Sequence, residues 1–176
     1  MCLVLVTSQA YAISGGPDYG TARVRTTGIY AGLLTPVVDP NSLGIFSFTI
    51  PKVGVGTGTV AIFRNGNYYP GTFQGIADPD TAKLTGVIQG TFTRTVGQVV
   101  TNGSTTSTIT FVYTYQVNGS AKAHMKPNPD VTSTTSVRLK GHSELTYTND
   151  EGNPSGNSAG PVDYVINGFK QAEVTQ

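Results

Sequence analysis

Tryptophan is absent from this chain of 176 residues, cysteine occurs once, histidine and methionine twice each, and Asp, Glu, Lys and Arg together make up only 12%. Each shortage excludes something. One cysteine cannot build a disulfide framework within the chain, and no zinc-ligand spacing exists. A net charge of +1 provides neither the basic footprint of a nucleic-acid binder nor an acidic tail, so nucleic acid is not an expected partner. No stretch approaches the roughly 18 apolar residues of a membrane-spanning helix, and no run of helix formers keeps a helical period. What remains is rich in glycine, 22 residues, and richer still in threonine. This is an all-β composition of one-domain length, large enough to bury a core without staples.

The plainest structural signal lies in residues 56–100. Asn65-Gly66 separates two alternating runs, and Asn-Gly is the strongest short-range hairpin signal because a type I′ turn needs φ > 0 at both central residues. A two-residue loop sets the register: Arg64 opposite Asn67, Ile62 opposite Tyr69, Val60 opposite Gly71, Gly58 opposite Phe73. After a turn on Asp78-Pro79-Asp80, a third strand alternates Leu84, Gly86, Ile88, Gly90 and Phe92 inward with Lys83, Thr85, Gln89, Thr91 and Thr93 outward. Val87 alone is out of place. Inner-face glycines recur beside aromatics in three strands, including Gly28, Tyr30, Gly32 and Leu34. Glycine there weakens a flat sheet but permits sharp curvature and close approach of rings to backbone.

In chain order, residues 1–12 read as the tail of a secretory signal peptide: an apolar Leu3–Val6 run, then Ala10-Tyr11-Ala12 as the small-x-small cleavage site. The run is short and lacks a preceding Lys or Arg, so the true start is expected upstream, and the sole cysteine, Cys2, would leave with the leader. Residues 13–176 then form a single β-domain. Strands are expected within residues 22–34 and 43–50 (Phe46, Phe48 and Ile50 inward), in the three already described, and after a polar loop at residues 101–106. There Ile109, Phe111, Tyr113, Tyr115 and Val117 face inward, as do Ala121, Ala123 and Met125, with Lys122 and His124 outside. To keep that polarity across Asn118-Gly119, a three-residue bulged turn with a left-handed Gly119 is predicted. A strand within residues 132–148 puts Val137, Leu139, Gly141, Leu145 and Tyr147 inward; residues 149–161 form a loop, and residues 162–169 the last strand. The expected fold is an antiparallel up-and-down meander of about eight or nine strands, a curled sandwich or small closed barrel. Phe73, Ile88, Phe92, Phe111, Tyr113, Leu139 and Leu145 are its predicted core.

Chemistry is sparse. His124 and His142 alternate outward among lysines, Asp78 and Asp80 suit a turn better than a carboxylate pair, and Asn149-Asp150-Glu151-Gly152-Asn153 lacks calcium-loop spacing. Gly54-Val55-Gly56-Thr57-Gly58 lacks the helix a phosphate loop requires. No catalytic residue, metal ligand or cofactor site is expected. The outward Thr, Gln, Lys, Arg and Glu do not suit a membrane-spanning barrel. The distinctive inward set is Tyr30, Tyr69, Tyr113, Tyr115, Tyr147 and Tyr164, whose hydroxyls need partners if buried. They either cap a filled core or line a ligand cavity. The expected protein is a secreted, cell-surface or periplasmic β-domain without enzymatic activity, a structural or interaction module binding a protein, glycan or small apolar ligand. The alternative is a calycin-like carrier, similar to lipocalins and avidins in architecture alone: Gly28-Ile29-Tyr30 stands where a lipocalin has Gly-x-Trp. A secreted hydrolase is the remote third reading.

Overall fold

The structure is a computed structural model that describes residues 18–19, 22–23, 26–127, 137–150 and 157–174. A two-residue pairing, β1 (Asp18–Tyr19) with β2 (Ala22–Arg23), precedes eight long strands: β3 (Gly28–Pro36), β4 (Ser42–Ile50), β5 (Gly56–Arg64), β6 (Asn67–Asp78), β7 (Lys83–Asn102), β8 (Thr105–Pro127), β9 (Val137–Asn149) and β10 (Asn157–Ala172). Each pairs antiparallel with its sequence neighbour, and β10 returns to β3, closing the barrel. Closure removes the open edges on which sheets aggregate, and the interior of an eight-stranded barrel is about wide enough for side chains to fill.

The Asn65-Gly66 hairpin has the predicted register, with φ of 50° and 78° at its central residues, as a type I′ turn requires. The Asp78 carboxylate shapes the next turn. It accepts hydrogen bonds from the Asp80 and Thr81 amides (2.8 and 3.2 Å) and the Thr81 hydroxyl (2.7 Å). These donors hold its pKa below the ordinary carboxylate value. The inward sets of β3, β4 and β9 are buried as alternation predicts, and Lys83, Lys122, Lys140, His124 and His142 are exposed.

Glycine permits the curvature. Gly75 pairs with Gly86 across β6 and β7, and a Cβ on either would stand 2.4 Å from the Phe73 ring. That ring occupies the space two side chains would have filled, and it packs on Phe48 at 4.6 Å between centroids.

The bulged turn at Asn118-Gly119 does not exist. β8 runs straight through both residues, Gly119 pairing with Ile88 on one side and Leu145 on the other. Tyr115, Val117, Ala121, Ala123 and Met125 are nonetheless all buried. A three-residue turn and an uninterrupted strand keep the same alternation of faces, so the polarity that ruled out a two-residue turn was equally compatible with no turn. Gly119 serves close packing instead: a Cβ there would lie 2.0 Å from the Glu144 carbonyl oxygen.

The reversal falls earlier, at Gly103-Ser104, between the paired Asn102 and Thr105. Gly103 has φ 62°, as the first central residue of a II′ turn does. The consequence is a hairpin arm. β6 pairs with β7 only as far as Gln89, and β9 with β8 only from Tyr115, so residues 93–114 have ladder partners only in each other. Pro70, which has no amide hydrogen to donate, stands beside the point where the β6–β7 ladder stops. Three predicted core residues are therefore misplaced: Phe92 and Phe111 are each 38% exposed and Tyr113 is half-buried. Ile109, assigned inward, is also exposed. Their alternation is real, but it continues past the rim of the barrel.

The predicted loop over residues 149–161 is also shorter than expected. β10 already pairs with β9 at Asn157, and a register shift between Ala159 and Val162 accommodates Gly160 and Pro161, a bulge tolerating the missing proline N–H. The proposed signal peptide at residues 1–12 and the greater part of the oxygen-rich loop, residues 151–153, lie outside the described residues.

Candidate functional site

Five of the six tyrosines singled out by alternation come together in the interior: Tyr30, Tyr69, Tyr115, Tyr147 and Tyr164 are all no more than 3% exposed. Four form one group toward the end of the barrel that bears the arm. Tyr69 meets the rings of Tyr115 (5.9 Å) and Tyr147 (4.8 Å) edge-on, and Tyr147 meets Tyr164 at 6.5 Å. Tyr113, at the root of the arm, is only half-buried against the edge of this core and stacks with Phe111 at 6.2 Å.

Every hydroxyl this group buries needs a partner. The Tyr147 hydroxyl donates to that of Tyr164 at 2.7 Å, which lies 2.5 Å from the Ser42 hydroxyl. Asn149 donates to the Tyr69 hydroxyl at 3.2 Å. Arg64 covers the Tyr147 ring at 5.0 Å and is held by Asp39 at 3.2 Å. Desolvation by burial, then the bond to Tyr164, pushes the Tyr147 phenol far above its ordinary pKa. Tyr147 and Tyr164 are hydrogen-bonded to each other and Tyr69 to Asn149, so these rings act as packing elements with partnered hydroxyls.

Tyr30 lies apart, toward the opposite end. Its hydroxyl donates to the Thr26 carbonyl at 2.8 Å and lies 3.7 Å from the Met125 sulfur, and its ring stacks on Phe48. Burial, with the Glu173 carboxylate adding to it, raises its pKa as well. Beside it the inward Lys170 is almost fully buried, with its ammonium 2.7 Å from Glu173. Sequence reasoning missed Lys170, Ser42 and the Arg64–Asp39 pair. Only continued alternation along β10, Tyr164, Ile166, Gly168, Lys170, could have placed the lysine inside.

Leu34, Ile62, Val117, Leu139, Leu145 and Ile166 fill the space between the two polar ends. Two concavities lie on the outside of the barrel. One of about 590 Å³ marks the notch where β7 leaves β6, lined by Pro70, Gly71, Thr72, Gln89, Gly90, Thr91 and Asn118. Another of about 610 Å³ lies on β8 and β9 among His124, Lys126, Pro127, Arg138, Lys140, Gly141 and His142. Among the described residues no three His, Cys, Asp or Glu side chains converge as metal ligands, and no helix is long and apolar enough to cross a membrane.

The arm is the remaining built feature. Beyond the rim its interior-facing side carries Phe92, Val96, Val100, Ile109, Phe111 and Tyr113, with Arg94 and Gln98 among them, and its other side is mostly threonine. Asp150 fastens its root: its carboxylate accepts the Thr114 amide, and its own amide donates to the Thr114 carbonyl at 3.1 Å.

Fold and interior thus define an eight-stranded up-and-down closed barrel with a side-chain-filled core and one hairpin extended beyond its rim. Compared with known proteins, the chain matches no family model, no curated protein and no solved structure.

Proposed function

We propose that the protein is an exported, non-enzymatic interaction module whose barrel serves as a rigid base for the arm, and that the arm's apolar side docks on a protein partner. The carrying observation is the uncovered stripe on an element that closure of the barrel does not need. Phe92, Ile109 and Phe111 are 38, 44 and 38% exposed, on a two-stranded hairpin of a kind that is only marginally stable in water by itself. Contiguous exposed apolar surface rimmed by polar residues is characteristic of contact sites. The outer faces of β3–β6 extend the apolar character: Leu33, Ile45, Ala61 and Pro70 are successive cross-strand neighbours, and Phe63 and Tyr68 stand beside them with rings 5.1 Å apart. The packed interior supports this reading over carriage of a small apolar molecule. A carrier needs room, and of the tyrosines that would line it Tyr147 and Tyr164 bond to each other, Tyr69 accepts from Asn149 and Tyr30 donates to the Thr26 carbonyl.

Photo-crosslinking in the producing cell tests the proposal. A photoactivatable residue at Val96 or Ile109 is expected to give one discrete protein adduct, and the same residue at Thr59 or Gln74 on the outer wall none. Absence of an arm-specific adduct, or saturable one-to-one binding of an apolar fluorescent probe that perturbs the buried tyrosines, would overturn it in favour of the carrier. Export carries its own check: intact mass of the secreted or surface-released protein is expected to begin at Ile13, and retention of Met1 would contradict it.

A further inference from the structure

We infer that the outer face of β7–β9 is a binding site for an acidic polysaccharide, a sugar polymer bearing carboxylate or sulfate groups. This goes beyond the arm's role and uses a different surface. Five of the chain's eleven Lys and Arg residues, and both of its histidines, lie on this face. The register sets them in rows: Lys83 opposite His124 and His124 opposite Lys140; Lys122 opposite His142; Lys126 opposite Arg138. Lys83, Lys122, Lys126, Lys140 and both histidines are exposed, and the concavity of about 610 Å³ lies among them.

Like charges directly opposite across strands destabilise a sheet, and Lys126 stands opposite Arg138 in this way. An anion laid across the rows would relieve the repulsion. Cations on neighbouring strands stand about 4.8 Å apart and successive outward residues about 6.8 Å, a spacing suited to a polymer with a charge on every one or two sugars. The acids on this side border the patch: Asp78 stands opposite Lys83, and Glu144 pairs with Ser120 and Asp163. Toward β10 the cationic rows meet Val165, Asn167 and Phe169, and Phe169 lies under the Arg138 guanidinium at 5.9 Å. Single-stranded nucleic acid is held by exposed rings on which bases stack. Here the Phe169 ring is half-buried and covered by Arg138 rather than open to a base, which favours a sugar polymer over a nucleic acid.

The test is titration of the intact protein with heparin and polygalacturonate, set against poly-dT and vesicles of phosphatidylglycerol, at about 50 and about 200 mM salt. Binding of at least one polysaccharide, weaker at the higher salt and tighter than poly-dT or the vesicles, is expected. Lys122→Glu with Lys140→Glu should weaken it about tenfold or more without lowering Tm, whereas Lys52→Glu, in the β4–β5 loop, should not. No polysaccharide binding, equal or tighter binding of poly-dT or vesicles, or indifference to the paired Lys→Glu substitutions overturns the inference. A protein with the arm replaced should bind the polysaccharide as the intact one does, so failure here and failure of the arm proposal are separable.

Discussion

At the scale of single residues, close packing dictates where glycine is required. Gly75 and Gly86 stand against the Phe73 ring at 2.4 Å from a would-be Cβ, so Gly75→Ala or Gly86→Ala is expected to destabilise the fold by roughly 1–3 kcal/mol through overpacking. Gly97→Ala, whose Cβ would meet only Thr108 at an ordinary 3.5 Å, should change little; urea unfolding distinguishes the three. Gly119→Val should remain far more damaging than Ser120→Val. The cause is the Glu144 carbonyl in the neighbouring strand, so even Gly119→Ala should be costly, unlike an exposed alanine elsewhere on β8. The tyrosines give a pH dependence. The folded pKa values of Tyr30 and Tyr147 lie above the ordinary phenol value of 10.0, so the stability from burying these two neutral phenols is complete below about pH 10 and is lost as pH rises beyond it. Alkaline unfolding should begin there. Replacing Tyr30 and Tyr147 together with Phe should flatten the decline, a change visible in denaturation midpoints measured from pH 8 upward.

At the scale of elements, the arm separates what pairing builds from what the barrel covers. Phe73 is 3% exposed and Phe92 38%, although alternation assigns both inward. Phe73→Ala should therefore cost about 3–5 kcal/mol, and Phe92→Ala less, since more than a third of its surface stays in water after folding. The arm itself should be dispensable to the barrel. Joining Thr93 to Thr114 through Asn-Gly removes only residues whose ladder partners are in the arm, so circular dichroism and Tm should change little. A collapse of Tm would mean that the arm packs against the barrel in solution. Asp150→Ala, which removes the carboxylate bonded to the Thr114 amide, should raise hydrogen exchange at the arm's root before anywhere on β3–β6.

At the scale of the whole molecule, the barrel wall has two characters. The strands β3–β6 carry Arg64 and Asp78 as their only charged residues, each at a strand end, whereas β7–β9 carry the cationic rows. Much of this was legible in the sequence. Alternation with period two assigned the inner and outer faces of nearly every strand, Asn65-Gly66 specified its own turn and register, and the recurrent inner glycines pointed to a curled sheet, because these are local consequences of pleat and sterics. Tertiary structure decided the rest. Face assignment depends only on parity, so Phe92, Ile109 and Phe111 read as core although β6 and β9 stop short of them, and Asn118-Gly119 read as a turn although both neighbouring strands hold it extended. The gathering of Lys83, Lys122, Lys126, Arg138 and Lys140 on one face is equally invisible to composition, since a net charge near zero is silent about where the charges stand. Where each strand ends relative to its neighbours is a property of the closed ladder, which residues distant in sequence determine together.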